Sequence, residues 1–197
     1  MRRRLLVAVV VALVAALGVV GAVVSSRGHA APDSRSAAAP LSRSALATRF
    51  AVLRHAHSNR CGMPASALDA MPARAHLQGS CCFPMNFRSY VQQRRELARQ
   101  YANVDVIPND PYDIRVSLAK RLLAYQAITL TPEQQEIYNR AAPLSATKGP
   151  CCCPCWRWTA FGGQAKYLIT LRGYSAKQIA DVWSLEEGCG GPRDSHA

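Results

Sequence analysis

The chain has 197 residues, with 24 lysines and arginines against 12 acidic residues, so its formal net charge is +12. It contains no Gly-rich phosphate loop, no G-x-S-x-G and no H-E-x-x-H, which argues against the common nucleotide-binding, serine-hydrolase and zinc-protease classes. The excess arginine is spread along the chain. We interpret it as a solvated basic surface, with attraction to anionic lipid headgroups as the alternative.

The N-terminal region combines a basic start with a long apolar run. Three arginines at residues 2–4 precede twenty apolar or small residues, 5–24, a length that crosses one bilayer. We expect residues 1–24 to be a signal anchor, a transmembrane helix, with a cleaved signal peptide as the alternative. Both place the remaining chain on the extracytoplasmic side, as a cell-membrane or secreted protein. The expected partners are the membrane, through this helix, and an envelope protein, but no nucleic acid.

The rest of the chain predicts one helical domain behind a linker. Residues 25–44 are rich in Ser, Ala, Pro and Arg without an apolar period, which predicts a flexible linker. Residues 45–191 are of a length that suits one compact domain with its own core. Residues 192–197 are predicted to be a disordered tail.

Apolar residues recur at helical spacing through the domain, and no alternating strand pattern is present. The predicted fold class is therefore all-α, a small domain of five to six helices with two Cys-rich loops. Residues 64–72 form at most a helical turn. Helix starts carry capping signals at Asn86, Asp110, Thr131 and Ser175. In chain order, the predicted helices cover about residues 45–55, 87–101, 111–128, 132–142, 158–172 and 176–187.

Two glycines interrupt the fifth helix. Gly162 and Gly163 weaken it, or allow another element to approach closely. Gly173 is expected to end this helix.

Cysteines are concentrated in one turn, where four of them fall within five residues between Cys151 and Cys155. Adjacent cysteines seldom bridge each other, because the peptide between them must distort. Each thiol of the turn therefore needs a remote partner or a metal ion. A loop of residues 61–85 and Cys189 carry the other four cysteines, so we expect the turn to be half of a site that this loop completes.

The leading hypothesis is a site for a soft metal ion, used for sequestration or delivery and not for catalysis. Closely spaced thiolates suit Cu(I), and zinc is second because paired C-x-x-C or H-x-x-x-H spacing is absent. The candidate ligands are Cys61, Cys81, Cys82, Cys151, Cys152, Cys153, Cys155, Cys189, His57 and Met85.

Two alternatives remain open. Cys152 and Cys155 form a C-x-P-C motif, in which Cys152 would attack a disulfide and Cys155 would resolve it, although the usual fold for that chemistry contains strands. The other alternative is a structural or interaction domain stapled by up to four disulfides. In that case Trp156 and Trp158 are core aromatic residues that shield the turn, whereas around a metal ion they would shield the ion from water. Arg157 could balance thiolate charge, but we expect it to be exposed.

The segment from Pro150 to Cys155 fits the pattern P-C-x-C-x-C. It resembles the motif of uncharacterised bacterial envelope proteins named for a PCYCGC sequence, with matches at Pro150, Cys151, Cys153 and Cys155. Here Cys152 replaces the tyrosine of that motif and Pro154 replaces the glycine. The family has no established activity, so the resemblance implies an exported protein in which the cysteine motif works as a unit.

Overall fold

The structure is a computed structural model that describes residues 42–191. The predicted anchor, most of the predicted linker and the predicted tail lie outside the described residues. Within the described range, no helix is both long enough and apolar enough to cross a membrane.

Residues 42–191 are mostly helical, as predicted, but they also contain a small two-stranded sheet. Two short 3-10 helices accompany six α-helices in this range. In chain order the elements are α1 (Arg43–Leu53), a 3-10 helix (Ala65–Leu68), β1 (His76–Gln78), α2 (Phe87–Tyr101), β2 (Asp113–Arg115), α3 (Val116–Ala124), a 3-10 helix (Tyr125–Ala127), α4 (Pro132–Leu144), α5 (Trp156–Arg172) and α6 (Ala176–Leu185).

Three of the predicted caps are confirmed. The Asn86 side chain accepts a hydrogen bond from the Ser89 backbone N–H at the start of α2. Thr131 and Ser175 each form a full capping box with a glutamine three residues later. These motifs satisfy backbone N–H groups that the first helical turn leaves unpaired.

The prediction that Asp110 caps a helix beginning at Pro111 is wrong. Asp113–Arg115 instead pairs antiparallel with His76–Gln78, and α3 begins only at Val116. The Asp110 side chain accepts bonds from the Tyr112 backbone N–H and the Tyr90 hydroxyl, which holds this segment in a loop. A pairing partner more than thirty residues away therefore overrides the local helix signal.

Several helix ends also differ from the prediction, and three of them have a clear local description. α1 begins at Arg43, inside the predicted linker, because the Ser42 hydroxyl caps it. α4 continues through Pro143 to Leu144. Because Pro143 lies in the last turn, its missing N–H removes only one helical hydrogen bond at the end of the helix. α5 begins at Trp156 and ends, as predicted, at Gly173, whose φ is 65°.

Helix α5 forms the centre of the main core, and α3, α4 and α6 pack around it. It is buried on most of its faces. At Gly163 an added Cβ atom would lie 2.2 Å from the Leu122 carbonyl oxygen, so glycine is needed for α3 to approach α5. The predicted close approach at this position is confirmed.

Three elements position the cysteines. Strand β1 runs directly into Cys81 and Cys82, α5 follows directly after the turn that ends at Cys155, and α6 leads to Cys189. The buried sulfurs form a cluster separate from the main core and from a smaller core between α1 and α2.

Candidate metal centre

Backbone hydrogen bonds join separate segments around the cysteines. The Cys61 N–H donates to the Cys81 carbonyl over 2.8 Å, and the Cys81 N–H donates to the Gly188 carbonyl over 3.1 Å. The Phe83 N–H donates to the Cys189 carbonyl over 2.7 Å. The upstream loop and the segment after α6 are therefore held side by side without any contribution from the sulfurs.

Trp156 fixes the cysteine turn against the upstream loop. Its backbone N–H donates to the Met63 carbonyl over 2.8 Å. Its buried indole N–H donates to the Asn59 side-chain oxygen over 3.0 Å, and the Asn59 amide donates to the Gly79 carbonyl. Trp156 is thus a core aromatic residue, as predicted, and it sets the position of the turn, whereas Trp158 is 40% exposed, so the prediction that it is a core residue is wrong.

All eight cysteines are free in the structure, and their sulfur atoms form one connected cluster, here called the thiol cluster. The closest Sγ–Sγ distances are Cys61–Cys153 3.7 Å, Cys61–Cys82 3.2 Å, Cys81–Cys82 3.6 Å, Cys82–Cys152 3.8 Å, Cys151–Cys155 3.7 Å, Cys151–Cys189 3.8 Å and Cys152–Cys189 2.7 Å. The turn and the upstream loop therefore meet, and Cys189 joins both.

The thiol cluster contains four groups of three sulfurs that could each hold a metal ion. Within each group, all the sulfurs lie within 4.8 Å of one another. The first group is Cys61, Cys82 and Cys153; the second is Cys81, Cys82 and Cys189; the third is Cys151, Cys152 and Cys189; the fourth is Cys151, Cys153 and Cys155.

Most of the close sulfur distances suit a shared ion. Two thiolates bound to one ion through bonds of about 2.3 Å lie about 3.8 Å apart at a tetrahedral angle and about 4.0 Å apart at a trigonal angle. Five of the seven closest distances fall between 3.6 and 3.8 Å. The Cys152–Cys189 distance of 2.7 Å is shorter, so this pair would have to separate by about 1 Å to ligate the same ion.

Burial divides the thiol cluster into an inner and an outer half. Cys189 is fully buried, and Cys81, Cys151 and Cys155 are at most 8% exposed. Cys61 and Cys152 are exposed, and Cys82 and Cys153 are partly exposed. An ion could therefore reach the outer sulfurs from solvent, whereas the inner sulfurs are shielded from water.

Hydrogen bonds between thiols concentrate negative charge on two sulfurs. The thiols of Cys151 and Cys81 donate to Cys189, which lowers the pKa of Cys189 to about 3. A bond from Cys155 lowers the pKa of Cys151 to about 6. Burial raises the pKa of Cys153 to about 12, and it also raises the pKa of Cys82 and Cys152. A bound metal would displace the protons that these neighbours hold.

Arg157 is only 1% exposed, so the prediction that it is exposed is wrong. Its guanidinium donates to the Pro111 carbonyl over 2.9 Å and to the Glu186 carbonyl over 2.5 Å, and it stacks over two aromatic rings. Burial by itself lowers the pKa of Arg157, but negative charge on the neighbouring cysteine sulfurs raises it, and the net direction is upward. The cation thus offsets negative charge on the sulfurs.

The segment around Cys189 is held on both sides. The Glu187 carboxylate accepts the Cys189 N–H over 2.7 Å, and the buried Gln93 side chain of α2 donates to the Glu187 carbonyl over 2.6 Å. Gly190 has a φ of 83°, and a Cβ atom there would lie 2.0 Å from the Phe83 carbonyl oxygen. Only glycine allows the chain to pass this close to the upstream loop.

Two predicted ligands lie outside the four groups. His57 is exposed and belongs to none of them. Met85 packs against the small core between α1 and α2, and its backbone bridges to Gly191. Their role as metal ligands stays a prediction.

The C-x-P-C pair of the redox hypothesis is arranged differently from the prediction. The Cys152 sulfur contacts Cys189 and Cys82, whereas the Cys155 sulfur contacts Cys151. Cys155, and not Cys152, occupies the N-cap position of α5. The geometry therefore favours Cys189 over Cys155 as the partner of Cys152.

Sequence reasoning missed two polar residues that support the site, Asn59 and Glu187, and it expected the third, Arg157, to be exposed. Only Arg157 left a usable signal, because it lies four residues before Phe161 and seven before Gln164, on one face of α5. Asn59 bonds to Trp156, which is remote in sequence, and Glu187 bonds to Cys189 within a loop. The spacing of apolar residues along the chain reveals neither kind of contact.

No protein-family model, no curated protein and no solved structure matches this chain. Its function must therefore be inferred from the site itself. The site residues define a Cys-rich, mostly helical domain whose thiol groups could hold a metal ion.

Proposed function

We propose that the protein is an extracytoplasmic soft-metal-binding protein that holds Cu(I) for sequestration or delivery. The observation that carries the proposal is the convergence of all eight sulfurs, from three separate segments, into one thiol cluster with spacings that suit a shared ion. Soft thiolate ligands select soft ions such as Cu(I), zinc and iron–sulfur centres.

The coordination number favours Cu(I) over zinc. Each group in the described part of the chain offers three sulfurs, whereas structural zinc sites are almost always four-coordinate and tetrahedral. Cu(I) is satisfied by fewer thiolates, so it fits a three-sulfur group without a further ligand. Zinc therefore remains the second choice.

Two features of the sequence support the location. The apolar run of residues 5–24 behind three arginines, and the resemblance to the PCYCGC envelope proteins, favour an exported domain attached to the membrane. Thiols outside the cytoplasm tend to oxidise unless they are bound, and a tightly held metal would keep these eight reduced. Fusion of alkaline phosphatase after residue 191 tests the location: an inactive fusion would contradict it.

The direct test is copper retention by the reduced full-length protein during competition with bathocuproine. We expect the wild-type protein to keep Cu(I) at chelator concentrations that remove most of the copper from a Cys151/Cys153/Cys155→Ser variant, in which only the group of Cys81, Cys82 and Cys189 is complete. A His57→Ala variant is the matched control, and it should retain copper like the wild type because His57 lies outside the four groups. Equal retention by the wild type and the triple variant would contradict the proposal. Tighter retention of zinc than of Cu(I) would make zinc the preferred ion.

A thiol–disulfide function is the second candidate, and one contact favours it. The Cys152 and Cys189 sulfurs lie 2.7 Å apart, the shortest separation in the thiol cluster. Transfer of this pair's two electrons to a small-molecule disulfide would form one protein disulfide and release two thiols. Peptide mapping under non-reducing conditions distinguishes the candidates. A thiol–disulfide function predicts a reversible Cys152–Cys189 bond, whereas a purely structural domain predicts four stable disulfides.

A further inference from the structure

The four sulfur groups share members in a regular way. Cys82 belongs to the first and second groups, and Cys189 to the second and third. Cys151 belongs to the third and fourth groups, and Cys153 to the fourth and first. The four triangles therefore form a closed ring in which each triangle shares one sulfur with the next.

We infer that the thiol cluster holds four Cu(I) ions as one polynuclear centre, with one three-coordinate ion in each triangle. The inference rests on the proposed function and deepens it by assigning a stoichiometry and a role to every sulfur. Cys82, Cys151, Cys153 and Cys189 each bridge two ions, and Cys61, Cys81, Cys152 and Cys155 each bind one.

The bonding is balanced. Four sulfurs that belong to two triangles and four that belong to one supply twelve metal–sulfur bonds, which is three for each of four ions. No sulfur is left without an ion, and no ion lacks a third ligand. On loading from a Cu(I)–thiolate donor, the protons still held by the cysteines pass to the released donor thiolates or to solvent, and no electron is transferred because copper arrives and remains as Cu(I).

The surroundings of the copper-loaded centre partly offset its negative charge. Eight thiolates and four Cu(I) ions leave a net charge of −4. The buried Arg157 guanidinium interacts electrostatically with the four inner cysteines and offsets part of this charge. The outer triangle of Cys61, Cys82 and Cys153 is the most exposed of the four, so we assign it as the position where copper enters from a thiol-bound donor such as Cu(I)–glutathione.

Native mass spectrometry of the reduced full-length protein, titrated with Cu(I)–glutathione, tests the stoichiometry. We expect the metal-free and four-copper forms to dominate at two equivalents, because an ion in one triangle positions a shared sulfur for the next. The titration should end at four ions. An endpoint at another number, or an even spread of intermediates, would overturn the inference while leaving copper binding intact.

A matched pair of variants tests the assigned roles. Cys151 and Cys155 lie in the same turn and are each 3% exposed, but Cys151 bridges two ions and Cys155 binds one. Under chelator competition, Cys155→Ser should retain about three ions and Cys151→Ser about two, because a bridging sulfur serves two triangles. Equal losses from the two variants would overturn the assignment.

A second pair covers the case in which buried serines prevent folding. Cys153 is a bridging sulfur and Cys61 a terminal one, and both lie in the outer triangle near the surface. Substitution of either by serine should leave the helical circular dichroism unchanged. Cys153→Ser should again lose one ion more than Cys61→Ser, and an equal loss would count against the ring of triangles.

Discussion

Arg157 brings a full positive charge into the interior, where its two carbonyl partners hold it in one orientation. Burial of a cation without compensation is costly, and carbonyl groups satisfy its N–H donors but not its charge. Thiolates of the cluster supply the missing negative charge. Arg157 therefore links the folding of α5 to the electrostatics of the site.

Replacement of Arg157 separates its two roles. Arg157→Lys and Arg157→Gln should each lower the free energy of unfolding of the metal-free protein by about 2–3 kcal/mol, because each loses at least one charged hydrogen bond. Only Arg157→Gln removes the charge, so it alone should release copper at about tenfold lower bathocuproine. Urea denaturation and chelator titration measure the two effects.

The exposed Arg95→Gln serves as the control and should change neither quantity. Equal copper retention by the lysine and glutamine variants would show that Arg157 only positions the chain and does not balance the thiolates.

At the scale of elements, the close packing of α3 against α5 depends on a glycine. A Cβ atom at Gly163 would lie 2.2 Å from the Leu122 carbonyl oxygen and 3.0 Å from the Gln126 backbone nitrogen. Backbone atoms of a packed helix cannot move aside individually. The adjacent Gly162 faces the ends of the Gln126 and Tyr138 side chains, which can rotate.

We therefore expect Gly163→Ala to lower the free energy of unfolding by about 2–3 kcal/mol through overpacking, although alanine is the better helix former by about 1 kcal/mol. Gly162→Ala is the matched control and should cost clearly less. Chemical denaturation followed by circular dichroism measures both. A smaller loss at Gly163 than at Gly162 would contradict the close approach of the two helices.

Local signals predicted most of the helices, and non-local contacts explain the errors. The capping boxes at Thr131 and Ser175 were readable because all their partners lie within three residues. Asp113–Arg115 was mistaken for helix because its strand partner, His76–Gln78, is remote in sequence. For the site, cysteine spacing indicated that the turn needs the upstream loop, but not that Cys189 contacts both or that Arg157 is buried.

At the scale of the whole molecule, the thiol cluster joins segments from both ends of the described domain. Cys61 lies soon after α1, and Cys189 follows α6. An ion bound by sulfurs from both segments binds the folded chain much more tightly than the unfolded chain. Binding free energy of this kind adds directly to the stability of the fold.

Copper loading should therefore raise the melting temperature of the reduced protein by about 10 °C, the shift that about 4 kcal/mol of linked binding gives in a domain of this size. Excess bathocuproine should reverse the shift. The Cys151/Cys153/Cys155→Ser variant is the control and should show a clearly smaller shift, because only one of the four groups is complete in it. No shift in the wild type would show that the metal binds equally well to the unfolded chain.

The position of Cys189 has a consequence for synthesis. A ribosome makes the other seven cysteines first, and Cys189 follows only after α5 and α6. Until then the second and third triangles each lack a member, and the upstream loop lacks the carbonyl that holds Phe83. A nascent chain therefore carries seven thiols while two of the four triangles are still incomplete. Any thiol-protecting factor would have to act during translation or export, before copper is supplied.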